Sequence, residues 1–209
     1  MIQDTGSDRP ANSRGASRAA AILDATLQLL GEVGYDQLTI DAVAALARSS
    51  KTTIYRRWPD KSALVCAALV SASVRHPELP AGATSLREDL LALTALFAKV
   101  ASIEDPGAFA SLLAAAQKDP AIATAVRATA VEPRRRDCRD VIQRAIGRGE
   151  LHDPRLATAL FEISIGQMMV RFLLQSDGFD EALQVDFVDN TLIPTLKAHD
   201  KEAGRDADH

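Results

Sequence analysis

Between residues 48 and 61 the chain gathers Arg48, Lys51, Arg56, Arg57 and Lys61 against the single acid Asp60, in a protein whose formal net charge is -4. A compact cationic stretch on an acidic body suits a localised contact with a polyanion. Within it, Lys51-Thr52-Thr53-Ile54-Tyr55-Arg56-Arg57-Trp58 reads as a helix of about two turns. Ile54 and Trp58 stand at i and i+4 and share its buried side, so Lys51, Thr52, Thr53, Tyr55 and Arg56 face outward. Thr52 and Thr53 are small enough to reach base edges in a major groove, and their methyls can meet a thymine methyl. Lys51, Tyr55 and Lys61 suit phosphate oxygens, as does the start of the helix near Asp60; Arg56 suits either role. The same pattern also fits a solvated polar face on a small helical packing unit.

Two elements must hold that segment. Ile22, Ala25, Leu29, Leu30 and Val33 follow the 3.6-residue period, giving a helix over 17–33 that ends at Gly34-Tyr35. Thr39 then stands where an N-cap belongs, ahead of Ile40, Val43, Ala44 and Ala47, and the polar turn Arg48-Ser49-Ser50 leads into the cationic helix. Two short helices joined by a tight turn are a helix-turn-helix arrangement, whose second helix lies in the major groove.

The remainder also reads as helix, over 60–75, 85–102, 106–116, 120–147, 154–175 and 180–198, with no convincing alternation for a strand. The fold class is all-α. Asp105-Pro106, Asp119-Pro120 and Asp153-Pro154 each place an acceptor at an N-cap and proline at N1. Ser85 and Glu88 have capping-box spacing, while Pro133 and Pro194 are expected to disturb the helices that contain them. Residues 1–16 read as a flexible arm and 201–209 as a disordered tail.

The string TIDAVAALARSSKTTIYRRWPDKSALV resembles the N-terminal DNA-binding domain of the TetR family of bacterial transcriptional regulators. The family's Tyr-x-x-aromatic appears as Tyr55 and Trp58, followed by Pro59 and Lys61, and the match covers roughly residues 17–66. By that resemblance Thr39, Ser50, Lys51, Thr52, Thr53, Tyr55, Arg56 and Lys61 fall where the family contacts double-stranded operator DNA. The chain departs from the family in the turn, where Gly-Val is usual and Arg48-Ser49 stands here. A glycine there commonly takes positive φ, so Arg48 is expected to carry strain of about 1 kcal/mol, and Ser49 gives up an apolar plug.

The resemblance implies a DNA-binding domain at 17–62, with the helix-turn-helix at about 39–58, and a regulatory and dimerisation domain at 63–200. The helix over 154–175 is apolar nearly all round and needs cover on more than one side. Phe172, with Val185, Val188, Leu192 and Leu196 of the next helix, is the expected homodimer interface, since TetR-like proteins pair through their last two long helices. A palindromic operator would then meet two recognition helices about one turn, ~34 Å, apart. The family also implies repression relieved by a small-molecule effector, and Phe97, Phe109, Met168 and Phe172 are the candidate pocket residues. Arg134-Arg135-Arg136 could attract an anion, and GRGEL at 147–151, followed by Asp153-Pro154, resembles the C-terminal domains of several TetR subgroups.

Other classes find little support. His76, His152, His199 and His209 are scattered with no HExxH, and there is no GxSxG and no Gly-rich phosphate loop, so no metal, cofactor or catalytic set is expected. Cys66 and Cys138 form no CxxC, which favours a reducing cytoplasm; Cys138 near Arg135, Arg136 and Arg139 is a conceivable redox thiol. No run approaches the ~18 apolar residues of a membrane span. The alternative is a helical small-molecule carrier or enzyme without DNA binding.

Overall fold

The computed structural model describes residues 11–73, 78–100, 106–171 and 179–206. The described residues hold helices and no strand. In chain order they are α1 (Ala11–Gln37), α2 (Ile40–Leu46), α3 (Lys51–Tyr55), α4 (Lys61–Ser73), α5 (Leu86–Val100), α6 (Pro106–Lys118), α7 (Pro120–Val126), α8 (Glu132–Gly147), α9 (Leu156–Val170), α10 (Glu181–Phe187) and α11 (Ile193–Asp206).

Local sequence sets most of the ends. Gly34, at φ 75° and ψ 175°, breaks α1 near its C-terminus, a conformation open to glycine because it lacks Cβ. Asp119 accepts from the Ala121 N–H with Pro120 behind it, as the Asp-Pro reading expects. The Ser85 hydroxyl accepts from the Glu88 N–H, but Glu88 reaches back to the N–H and hydroxyl of Thr84 rather than to Ser85. Asp153-Pro154 forms a turn, and α9 starts only at Leu156. Asp105 lies outside the described residues.

The two internal prolines act alike. Before Pro133 a π turn spans Arg127–Val131, closed by the Glu132 N–H on the Arg127 carbonyl. Before Pro194 another spans Val188–Leu192, closed by the Ile193 N–H on the Val188 carbonyl. A proline offers no N–H to the i−4 carbonyl and its ring crowds that carbonyl. Widening the preceding turn by one residue relieves both faults.

Both ends are more helical than the composition suggests. α1 begins at Ala11, so 11–16 is helix rather than arm, and α11 reaches Asp206, so 201–206 is helix rather than tail. Ala11, Ala16 and Ala19–21 in α1, and Lys201, Glu202 and Ala203 in α11, are strong helix formers that continue an existing helix without a new nucleus.

Two apolar clusters form the interior. The first joins Ile22, Leu30, Leu38, Val43, Ile54 and Leu64 from α1–α4 to Leu112, Ala115 and Ile122 from α6 and α7. Residue 62 therefore falls inside α4 and divides no core, because α6 and α7 help build the interior that supports α3. The second cluster takes Leu90, Leu93, Phe97, Cys138, Ile142, Leu160, Met168, Phe187, Val188, Leu192 and Leu196 from α5 and α8–α11 with the second π turn.

A polar clasp closes one end of the second cluster. The Asp89 carboxylate, with 0% side-chain exposure, accepts from Arg144 at 2.9 Å and from Arg148 at 2.8 Å. Glu150 takes the Leu86 N–H at 2.9 Å and pairs with Arg148. The GRGEL segment is thus a joint that ties the loop after α8 to the head of α5.

Candidate nucleic-acid interface

The motif is built upward from three small devices. The Thr39 hydroxyl caps α2 by accepting from the Ala42 N–H at 3.2 Å. At the other end of α2 the Ser49 N–H bonds the Ala44 carbonyl at 2.9 Å and the Arg48 N–H bonds the Ala45 carbonyl at 3.2 Å. These are the paired bonds of a Schellman motif with Arg48 at the left-handed position, and Arg48 indeed has φ 48°. The chain repeats the motif after α8, where the Glu150 and Gly149 N–H groups bond Ala145 and Ile146, and there a glycine at φ 74° fills the same position. The third device is Ser50, whose hydroxyl caps α3 through the Thr53 N–H at 3.2 Å and lies 2.9 Å from the Thr53 hydroxyl.

The turn carries two faults that substitution should correct. Left-handed backbone costs a residue with a Cβ about 1 kcal/mol, and the buried Ser49 hydroxyl has no hydrogen-bond partner. Ser49 sits where a Schellman motif commonly places an apolar contact back onto its helix. The double substitution Arg48→Gly, Ser49→Val is expected to add about 1–2 kcal/mol. A thermal melt should show the midpoint rise by roughly 2–4 °C for each of those kcal/mol. An unchanged midpoint would show the turn to be relaxed as it stands.

α3 is shorter than its sequence pattern suggests, ending at Tyr55 with a turn at Arg56-Arg57. Its back is fixed as expected: Ile54 is 0% exposed, and Trp58 packs half-buried on the same cluster. Lys51, Thr52, Tyr55, Arg56 and Arg57 are exposed, whereas Thr53 is half-buried and tied to Ser50. Lys51 pairs with Asp41 of α2 at 2.6 Å, both side chains well exposed, an attraction that solvent and salt weaken. Arg48 and Arg57 add two exposed cations that side-chain patterning left out; their signal was the charge count of the segment.

Lys61 sits otherwise than the phosphate reading expects. Its ammonium donates to the carbonyls of Tyr35 at 2.6 Å, Asp36 at 3.3 Å and Leu38 at 3.0 Å. It also lies 4.4 Å from the centre of the Tyr35 ring. Three donors on three carbonyls make Lys61 a clamp on the end of α1. The start of α4 is likewise occupied, since the Asp60 carboxylate accepts from the Ala63 N–H at 2.7 Å.

The other candidate residues divide. Phe97 and Met168 lie in the second apolar cluster, Phe109 is half-buried on α6, and Phe172 lies outside the described residues. Val188, Leu192 and Leu196 are each 0% exposed within the single chain. Their apolar face is covered by the protomer's own helices, so it offers nothing to a partner; Val185 is half-buried. Arg134 is also buried, against Phe97 and paired with Asp137, so the arginine run is not simply a solvated face. Burial pushes the Cys138 thiol up to about 12, which removes the thiolate that a redox sensor needs.

No helix of the described residues is long and apolar enough to cross a membrane, and no group of three potential metal ligands occurs among them.

Comparison with known proteins agrees with this architecture. Residues 22–68 match the family described as bacterial regulatory proteins, tetR family, and residues 80–191 match the tetracyclin repressor-like C-terminal domain. An uncharacterized HTH-type transcriptional regulator of Mycobacterium tuberculosis is 33% identical over 190 residues, covering 90% of this chain and 93% of that protein. The DNA-binding transcriptional repressor TetR of Mycobacteroides abscessus is 34% identical over 163 residues, covering 74% and 86%. Among solved structures, the TetR family transcription regulator SCO0332 superposes with a TM-score of 0.61 at 30% identity, covering 84% of this chain and 96% of its own. A TetR transcriptional regulator from Agrobacterium tumefaciens shares the fold, with a TM-score of 0.70 at 20% identity over 86% and 94%. With both halves matched and the helix-turn-helix in place, the chain belongs to the TetR family of transcriptional regulators, non-enzymatic DNA-binding proteins.

Proposed function

We propose that the protein is a cytoplasmic repressor that grips a palindromic operator as a homodimer and releases it when a small molecule enters the C-terminal domain. The observation that carries the DNA half is the division of α3, with Ile54 sealed into the core and Lys51, Thr52, Tyr55 and Arg56 outward. A rod with a fixed back and a polar, cationic front fits a groove about 12 Å wide. In this reading residues 17–62 read DNA and 63–200 regulate. Thr39 and Ser50 stand at helix starts beside the phosphates. Lys51, Tyr55, Arg56 and the added Arg57 hold the backbone. Thr52, whose hydroxyl is not tied down as that of Thr53 is, reads bases, and Lys61 contributes by holding α1 in place.

A mobility-shift assay with the DNA flanking the gene tests this, because binding should fall steeply as salt rises. Lys51→Ala is expected to weaken all duplexes alike and lower the salt slope by about 1. Thr52→Ala is expected to cost about 1–3 kcal/mol on the preferred sequence and relax that preference. Two variants that bind the wild-type operator normally would remove these role assignments.

The dimer reading moves to the outer face of α9. There Ile163, Gly166, Met169 and Val170 make a half-buried to exposed stripe at helical spacing, and a Cβ built on Gly166 would meet open space. A small residue at the centre of an apolar stripe lets a second helix come close. Paired subunits supply the two recognition helices a palindrome requires.

Release needs the recognition helices to follow a change elsewhere in the chain, and two hydrogen bonds tie α1 and α4 to α6 and α7 within the first cluster. The Tyr35 N–H bonds the Ser111 hydroxyl of α6 at 2.6 Å, and the Ser62 hydroxyl of α4 bonds Asp119 at the head of α7 at 2.6 Å. Those bonds from Ser62 and the Ala121 N–H hold the Asp119 carboxyl below its ordinary range. A ligand that favours a shifted α6–α7 would move α1 and α4 with it, and operator affinity would fall by the ligand's preference between the two arrangements.

A further inference from the structure

Five polar or charged residues are buried in the described part of the chain: Thr26, Asp89, Thr94, Arg134 and Ser164. The Thr26 hydroxyl donates to the Ile22 carbonyl, Thr94 to that of Leu91, Asp89 holds two arginines and Arg134 pairs with Asp137. The Ser164 hydroxyl, on a residue 1% exposed, has no hydrogen-bond partner at all. A serine inside a helix normally turns back onto the i−4 carbonyl; this one does not. One face of α9 carries a second such group seven residues on, the buried Nε of Arg171. Buried donors are almost always satisfied, so two orphans on one helical face point to a missing acceptor.

The surroundings identify its chemistry. α5 and α8 run antiparallel, since Asp89 meets Arg144 and Arg148 while Phe97 lies 5.5 Å from the Arg134 guanidinium. α8 and α9 are also antiparallel neighbours, with Arg135 lying 4.9 Å from the centre of the Phe161 ring, one turn before Ser164. Arg171 stands 6.0 Å from the Phe179 ring. Three guanidiniums (Arg134, Arg135 and Arg171) therefore flank this stretch beside three phenylalanine rings, and Asp137 is the carboxylate that stands among them. Burial pulls the Arg134 guanidinium below its ordinary range, against the opposing pull of Asp137, as expected where solvent is scarce and an added anion would be welcome.

We infer that the stretch of chain at Ser164 and Arg171, where α9 packs beside α5 and α8, receives an anionic, apolar-bodied effector, its carboxylate or equivalent acid taking the Ser164 hydroxyl and Arg171 while its hydrocarbon lies on Phe97, Phe161 and Met168. This names the ligand class of the regulatory site proposed above and rests on that reading. A cationic analogue of equal size offers neither donor an acceptor, and a neutral amide offers one uncharged oxygen in place of a carboxylate's charged pair, so both should bind more weakly.

The experiment uses three size-matched probes, 2-naphthoate, 2-naphthamide and 2-naphthylmethylammonium, against the full-length protein, followed by calorimetry and by operator mobility shift. The expected result is binding of 2-naphthoate at least tenfold tighter than either analogue, with release of the operator. Ser164→Ala should raise the melting midpoint of the free protein slightly, because a partnerless hydroxyl is gone, yet weaken 2-naphthoate about fivefold or more. Arg171→Gln should weaken it further while leaving 2-naphthamide unchanged. Equal binding of all three probes, or wild-type affinity in both variants, would overturn the anionic assignment while leaving a ligand-released repressor standing. Absence of binding by any probe would overturn it too. A protein that binds 2-naphthoate tightly but keeps its operator would support the site and overturn the repressor reading instead.

Discussion

Gly166→Arg is expected to yield a folded, monomeric protein whose operator affinity has fallen by a hundredfold or more. The fold should survive because a side chain at this point enters open space and because arginine favours helix over glycine by close to 1 kcal/mol. The dimer should not, since two guanidiniums would face each other across an apolar stripe. Losing one of two linked half-site contacts removes the avidity that joins them, commonly a factor of 10² or more. Light scattering, circular dichroism and a mobility shift on one sample check all three statements. A dimeric variant would take the interface away from this face of α9. Leu192→Arg serves as the contrast: that side chain is fully buried in its own chain, so the same charge should unfold the protomer rather than separate a pair.

Asp89→Ala should cost more stability than the loss of any other ion pair described. The carboxylate is fully enclosed and holds both Arg144 and Arg148. Removing one member of a buried ion cluster leaves charges uncompensated, and such losses run to about 3–5 kcal/mol. Arg144 and Arg148 keep a quarter or so of their surface, at 29% and 24%, so water reaches them and the lower end of that range is expected, near 3 kcal/mol. At roughly 2–4 °C per kcal/mol for a chain of this size, the melting midpoint should fall by about 10 °C. The exposed pair of Arg87 with Asp189 is the control; Asp189→Ala should scarcely move the midpoint. If the two substitutions behaved alike, the clasp would be ornamental to stability.

Much of the recognition motif was legible in the chain because its determinants are local. The cap residue Thr39, the left-handed Arg48 and the buried Ile54 each depend on a few neighbouring positions. The failures over the dimer face, Lys61 and Ser164 share one cause, which is distance along the chain. Val188, Leu192 and Leu196 repeat at helical spacing, and a repeat shows that an apolar face needs cover without saying whose. Here α5 and α9 of the same chain supply it. Lys61 looked like a phosphate donor because nothing near it in sequence competes, yet it reaches carbonyls 23 to 26 residues back. The partnerless Ser164 was invisible for the same reason: a serine in an apolar helix is ordinary until its surroundings are assembled.

The wide turn at Arg127–Val131 has a mechanical meaning. α7 and α8 are nearly one rod, with Ile122 seated in the first apolar cluster and Cys138 in the second. One residue inserted into such a rod rotates the part beyond it by about 100°, so this turn sets the phase at which the two interiors are threaded on a common shaft. If the proposed effector twists the second cluster, that torque would be delivered through this splice to the end that carries Asp119.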